Sequence, residues 1–217
     1  MWKIPTKIRG KVSSTPQKQD RRVRRTQKAI EQAFAELMAT KDINSITVSE
    51  LAEKADIHRA TFYSHYSDIP SLYETIQKSV VAGLETIVAP DPERGKNMNG
   101  EEVFGMMVDY VYDRKEIFKM LLTRSSTREF FEELAHLFET LYLEIFWSDV
   151  TDDITRDDLQ VLAKYHVSGC IAVINDWAEK NFADSPERVI QTLAVVDSHF
   201  DKLMYRVTKS ETSIFDS

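Results

Sequence analysis

The residues with the most chemistry to offer lie close together: His58, Arg59, Ala60, Thr61, Tyr63 and His65, inside the stretch TVSELAEKADIHRATFYSHY that runs from Thr47 to Tyr66. If the segment from Arg59 to Tyr66 is helical, its buried face holds only Phe62 and Tyr66. Arg59, Thr61, Tyr63, Ser64 and His65 then point outward. This set contains no nucleophile beside a base. It is a set of donors: a guanidinium can reach a guanine edge or a phosphate, Thr61 a base or a thymine methyl, and Tyr63 and His65 phosphate oxygens. The chemistry is recognition of an oxygen-rich polyanion, although a solvated face of a plain helical hairpin would carry similar residues.

The neighbouring residues set the geometry of that face. Thr47 followed by Glu50 has the form of a capping box, so a helix starts there with Val48, Leu51, Ala52 and Ala55 on one side. Asp56 tolerates the left-handed conformation of a sharp corner, and Ile57 is apolar enough to tuck beneath it. Two helices joined by so short a turn form the helix-turn-helix unit, whose second helix fits the major groove of duplex DNA. Upstream, Ile30, Ala33, Phe34 and Leu37 form the buried stripe of a helix expected from about Arg22 to Thr40, ended by the turn residues of KDINSI. Arg21, Arg22, Arg24 and Arg25 would lie at its start. Downstream, Ser67 or Asp68 caps a further helix with Pro70 in its first turn, long enough at ~1.5 Å per residue to link this small unit to the rest of the chain. Gly83 inside it marks a close packing point or a weak spot. The segment APDPERGKNMNG, residues 89 to 100, is the clearest loop.

Across its 217 residues the chain has six Gly, six Pro, one Cys and a net charge of −7. Helix formers dominate and no β-type alternation is sustained, which predicts an all-α protein. Cys170 alone excludes an intrachain disulfide framework and agrees with a reducing cytosol. No signal-peptide or membrane-length apolar run is present, and a soluble, cytoplasmic protein with no membrane association is expected. The charge is unevenly spread. Residues 1 to 28 hold ten Lys or Arg against Asp20 alone, a net of +9 that leaves −16 on the other 189. A basic end on an acidic body points to a polyanion partner, or to a solvated tail. Residues 1–20 have the composition of a disordered arm.

The remaining helices are expected over Glu101 to Asp113, Lys115 to Leu122, Thr127 to about Trp147, Arg156 to Asn181 and Pro186 to Arg206, with Ser185 and Pro186 opening the last. The final two are apolar over a wide arc. Small residues at Ser168, Gly169 and Ala172 invite a close helix, and Val173, Trp177, Val196 and Phe200 extend the surface, so a symmetric dimer sealed there is expected. A pocket in this part would be lined by Met106, Met107, Tyr110, Phe118, Met120, Leu121, Phe138, Tyr142, Phe146 and Tyr165, residues that would equally serve as core. Enzymatic motifs are missing: no G-x-S-x-G, no G-x-G-x-x-G, no H-E-x-x-H, and a P-loop-like spacing from Gly95 to Gly100 is followed by two glutamates. His136, His166 and His199 stand isolated, Cys170 reads as a small core residue, and neither a metal site nor a cofactor nor enzymatic activity is expected.

ITVSELAEKADIHRATFYSHYSDIPSLYE resembles the DNA-binding region of the TetR family of transcriptional regulators, and DYVYDRKEIFKMLL, VSGCIAVINDWAEK and SPERV are similar to a subgroup of low-GC Gram-positive bacteria. Between the basic arm (1–20) and a polar, loose tail (207–217), the resemblance implies a DNA-binding domain (21–67) and a ligand-binding and dimerisation domain (68–206). It further implies a homodimeric repressor of a palindromic operator, released by an unidentified small molecule. By position, Thr47 should meet a phosphate, Arg59, Ala60 and Thr61 should face bases beside His58, and Tyr63, His65, Arg24 and Arg25 should hold the backbone. Where many relatives place a phosphate-binding lysine, this chain has Ile69, which leaves a second possibility: an adaptor or co-activator acting through a protein partner. The basic arm could replace the missing contact. Deleting residues 1–20 should then weaken operator binding strongly at moderate salt, measured by fluorescence anisotropy on labelled duplex, and unchanged affinity would count against that role.

Overall fold

The computed structural model describes residues 17–88, 100–122, 128–146 and 156–209. All regular structure among them is helical: α1 (Gln17–Met38), a 3-10 turn (Ile43–Ser45), α2 (Val48–Lys54), α3 (Arg59–Tyr63), α4 (Ile69–Val88), α5 (Gly100–Asp113), α6 (Lys115–Leu122), α7 (Arg128–Phe146), α8 (Arg156–Glu179) and α9 (Pro186–Lys209). The all-α expectation holds. The boundaries differ where local chemistry is decisive. α1 starts at Gln17, inside the segment expected to be disordered, because QKQDRR, apart from Asp20, consists of good helix formers that extend an already nucleated helix. α3 ends at Tyr63 and not at Tyr66. Ser64 caps it, its Oγ donating to the Thr61 carbonyl at 2.7 Å.

Helix ends are closed by recognisable bonds. At the corner after α2 the Asp56 backbone has φ 52°, its N–H donates to Glu53 O at 3.1 Å, and the Ile57 N–H donates to Ala52 O at 2.9 Å. That is a Schellman closure with an aspartate in the left-handed position, and Ile57 packs against the core below. The end of α8 repeats the device. Asn181 and Phe182 are left-handed, Phe182 N–H donates to Trp177 O at 2.9 Å, and the two rings pack edge to face at 4.9 Å. At the start of α4, Asp68 and Ser71 cap each other: Asp68 Oδ1 accepts from Ser71 N–H at 2.8 Å and Ser71 Oγ accepts from Asp68 N–H at 3.2 Å.

α1 to α3 form a small bundle closed by the head of α4, and α5 to α9 form a larger one around its tail. One contiguous core passes through both, from Ile30, Phe34 and Phe62 along Leu72, Ile76 and Val80 of α4 to Val108, Phe118 and Leu121. Ile69, only 6% exposed, belongs to this core. It anchors α4 and presents nothing to a duplex. Gly83 is the close packing point: a Cβ there would fall 2.2 Å from the Tyr110 hydroxyl. Gly83→Ala should therefore lower stability by about 1–3 kcal/mol through overpacking, instead of adding the ~1 kcal/mol that alanine ordinarily gives a helix, and thermal unfolding will decide the sign.

Candidate nucleic-acid interface and ligand cavity

Phe62, fully buried, holds α3 by its one inward side chain, in ring contact with Tyr63 at 5.6 Å and Tyr66 at 5.7 Å. The opposite side of α3 is open: His58, Arg59 and Ala60 are exposed and Tyr63 is 58% exposed, with Thr61 and His65 half-buried at the flanks. Thr47 caps α2, its Oγ1 accepting from Glu50 N–H at 3.2 Å. The reciprocal half of the expected capping box is not made, because the Glu50 carboxylate pairs with Lys41. Lys54 bridges to Glu36 of α1 at 2.8 Å and holds that carboxyl below its usual range. Arg24 and Arg25 are exposed on α1. Of the expected recognition residues, the structure thus exposes His58, Arg59, Ala60 and Tyr63 at α3, with Thr61 and His65 at its flanks and Thr47, Arg24 and Arg25 on other helices.

A polar joint connects this unit to the second bundle. Arg114, at the α5–α6 corner, donates to the Tyr110 hydroxyl at 2.6 Å and to Ser79 Oγ at 3.2 Å, and pairs with Glu31 of α1 at 3.5 Å. The Tyr110 hydroxyl donates in turn to the Ser79 carbonyl at 3.3 Å, across the gap that Gly83 leaves. Burial pushes the Glu31 carboxyl up and the Arg114 charge opposes it. Burial, with the Glu31 charge second, pushes the Tyr66 phenol up to about 12, so that α1, the turn after α3 and the α5–α6 corner meet at the same carboxylate.

Next to this joint lies a cavity of about 320 Å³, lined by the tail of α4 and by α5 to α9. Its wall is almost wholly apolar, formed by residues such as Leu84, Phe104, Val111, Leu134, Leu141, Ile171 and Leu193. Met107, Phe118, Phe138 and Tyr142 of the expected set line it. The others do not. Tyr110 is turned into the joint, Met106 is half-buried outside the lining, and Met120 and Leu121 fill the core elsewhere on α6. Tyr165 is 77% exposed on the outer side of α8, and the Phe146 side chain lies outside the described residues. Helical periodicity selects apolar residues without telling which side of a helix meets a void.

His166 and Cys170, which the sequence reading set aside, and Asp197, which it did not single out, make the polar end of this cavity. His166 Nε2 donates to Asp197 Oδ1 at 3.0 Å and lies 3.7 Å from Cys170 Sγ. Its ring stacks on Phe200 at 4.3 Å, with Tyr142 at 5.1 Å. Burial alone lowers the imidazole's affinity for a proton. The hydrogen bond that Asp197 accepts, helped by Cys170 and by the Asp197 charge, outweighs it and lifts the pKa to about 9. A signal was available in sequence: His166 and Cys170 are four apart on one helix, and Asp197 interrupts the inward stripe of Leu193 and Phe200.

The expected dimer residues divide. Gly169, Ala172 and Val196 are exposed and Val173 is half-buried against the core. Trp177 and Phe200 face inward: Trp177 stacks on Tyr112 at 5.7 Å and its Nε1 donates to Asp184 O at 2.9 Å, while Phe200 covers His166. Both are satisfied within the protomer and are not available to a partner. Val161, Tyr165, Gly169 and Ala172 on α8 and Val195 and Val196 on α9 form the outward apolar surface. Among the described residues no group of His, Cys, Asp or Glu could hold a metal ion, and no helix is long and apolar enough to cross a membrane.

Residues 99–196 match a TetR-type family model described as transcriptional regulator C-terminal region. A stretch of 92 residues is 35% identical to the uncharacterized HTH-type transcriptional regulator YxbF of Bacillus subtilis (strain 168), covering 41% of this chain and 24% of that protein, so the chain spans about a quarter of its relative's length. The fold is similar to that of a tetR-family transcriptional regulator from Streptomyces coelicolor, with TM-score 0.59 and 16% identity over 90% of this chain and 93% of the other. It is also similar to NalD, the secondary repressor of the MexAB-OprM multidrug efflux pump in Pseudomonas aeruginosa, with TM-score 0.53 and 17% identity over 88% and 100%.

The raised pKa of His166 links stability to pH. The stabilisation from its protonated form is complete below about pH 6.5 and is lost as pH rises through about 9. A shift of this size is worth on the order of 3 kcal/mol. The difference in melting temperature between wild type and His166→Gln should therefore be largest at pH 6 and should shrink steadily toward pH 10.

Proposed function

The chain belongs to the TetR family of transcriptional regulators, and from that premise we propose that it is a cytoplasmic homodimer that binds a palindromic operator, represses the adjoining genes and lets go when a small molecule enters its cavity. The observation that carries this reading is the outward face of α3, where Arg59, Ala60 and Tyr63 are exposed on a helix locked from behind by Phe62. A base-reading helix must be rigid, since each bidentate contact depends on orientation as well as proximity. Thr61 would face bases beside Arg59 and Ala60, while Thr47 at the start of α2, His58 and His65 around α3, and Arg24 and Arg25 on α1 would hold phosphates and so set its register.

The outward surface of α8 and α9 supports the homodimer. Small residues at Gly169 and Ala172 let backbones approach, with Tyr165, Val161 and Val196 around them to exclude water, and a two-fold axis would place the same patch on both sides. Two recognition helices about 34 Å apart then meet successive major grooves. Residues 21–67 would serve as the DNA-binding domain and 68–206 as the effector-binding and dimerisation domain.

An effector shifts the operator-binding equilibrium only by binding one conformation better than the other. Phe118 lines the cavity and meets the Tyr110 ring edge to face at 5.9 Å, and Tyr110 joins Arg114, Ser79 and Glu31. A ligand that moves Phe118 would therefore act on α4 and α1 through a short chain of direct contacts. The buried Ile69 favours a second reading, an adaptor that works through a protein partner, since that position offers no phosphate contact.

Selection of bound fragments from random DNA at two salt concentrations separates the readings. A recovered palindrome with half-sites one helical turn apart is expected, and Arg59→Ala should weaken binding to it by about 1–3 kcal/mol and relax one base position. Weak, sequence-independent retention that disappears with salt would refute the operator-binding reading and favour the adaptor.

A further inference from the structure

The charges in the cavity wall form a closed pair. Among the described lining residues only His166 and Asp197 carry charge, and His166 Nε2 donates to Asp197 Oδ1 at 3.0 Å. With the imidazole lifted to about 9, both partners are ionised at pH 7 and their charges sum to zero. Tyr142 and Cys170 are the other polar side chains of the wall, and the rest of it is apolar. The His166 ring, stacked on Phe200 at 4.3 Å and beside Tyr142 at 5.1 Å, is held in place, so the pair does not swing apart to admit a third charge.

A pair of zero net charge is a dipole, and what complements a dipole is another dipole. A cationic head seeking Asp197 meets the like-charged imidazolium 3.0 Å from it, and an anionic head seeking His166 meets the carboxylate in the same way. Capturing either partner would leave the other as an uncompensated charge against an apolar wall, which is strongly unfavourable. A neutral hydroxyl meets neither obstacle, since it can accept from a cation and donate to an anion without separating them. The cavity is partly open to solvent, and a charged head left outside it would bind without regard to sign. Equal affinities for heads of either sign and for a neutral one would mark that case.

We propose that the cavity selects an uncharged lipophilic molecule, its neutral polar group set against the intact His166–Asp197 pair and its apolar body against Phe104, Met107 and Ile171. This rests on the reading of the cavity as the effector site. A volume of about 320 Å³ suits one compact or singly chained molecule.

Calorimetric titration of the full chain at pH 7 with decanol, decylamine and decanoate, each below its solubility or micelle limit, tests this with one apolar body and three heads. Decanol should bind roughly tenfold tighter than either charged probe. In His166→Gln, Asp197 loses its cation, and decylamine should then bind tighter than decanol while decanoate stays weakest. Cooperative thermal unfolding reports that the variant is folded. Tightest binding by either charged probe, equal binding by all three, or an unchanged order in folded His166→Gln would overturn the head-group assignment and leave the effector cavity standing. Failure of all three to bind would overturn the cavity reading itself, and operator binding by the same preparation would show that the DNA-binding reading does not fall with it. The wild-type ranking decides if His166→Gln does not fold.

Discussion

Both halves of the molecule are packed against one row of side chains on α4. Ile69, Leu72 and Ile76 close the core under Phe62 and Phe34, and Val80, Val81 and Leu84 continue the same stripe into the larger bundle. A helix of this kind cannot turn or slide for one neighbour without disturbing the other, because close-packed interiors accommodate small shifts poorly. The orientation of α3 therefore depends on a helix whose far end, at Leu84 and Val88, is part of the cavity wall. The short turns on either side of α3 are fixed by hydrogen bonds, at Asp56 by the backbone Schellman closure and at Asp68 by reciprocal side-chain capping, so little of that dependence is lost in flexible connections.

Where α4 crosses α5 the packing becomes polar and specific. Gly83 removes the side chain that would collide with Tyr110, and the space is used for a hydroxyl that accepts from Arg114 and donates to Ser79. Arg114 then reaches Glu31 on α1. A partly buried ion pair of this sort adds little net stability against an apolar replacement, since desolvation offsets most of the attraction, but it fixes geometry strongly. Its place between the cavity wall at Phe118 and the first helix suits a joint whose geometry, more than its strength, is at stake.

The two long C-terminal helices divide their apolar surface between inward and outward use. Trp177, Phe182 and Phe200 are consumed within the protomer, around Tyr112 and His166, while Tyr165, Val161 and Val196 stay in solvent. The inward side also holds the His166–Asp197 pair, the main departure from an oily interior. Its charges are tolerated because each partner is hydrogen-bonded to the other, and its position at one end gives the cavity a polarity that volume alone would not.

Sequence alone determined whatever depends on neighbours along the chain. The helical class, the capped starts at Thr47, Asp68 and Ser185, the left-handed corner at Asp56 and the outward face of α3 follow from local dihedral preferences, caps and a periodicity of 3.6. Gly83 could be recognised as special by the same reasoning. What it was special for could not, because Tyr110 lies 27 positions away and meets it only when two helices cross. The sides taken by Tyr110, Met120, Leu121 and Tyr165 were likewise decided by tertiary packing, as an apolar residue on a helix buried from several directions satisfies the same pattern in core, cavity or interface. The union of His166, Cys170 and Asp197 belongs to this second kind. Two are a helical turn apart, but the third comes from another helix, and only their meeting against an apolar wall makes a pair of isolated-looking residues into the charged end of a cavity.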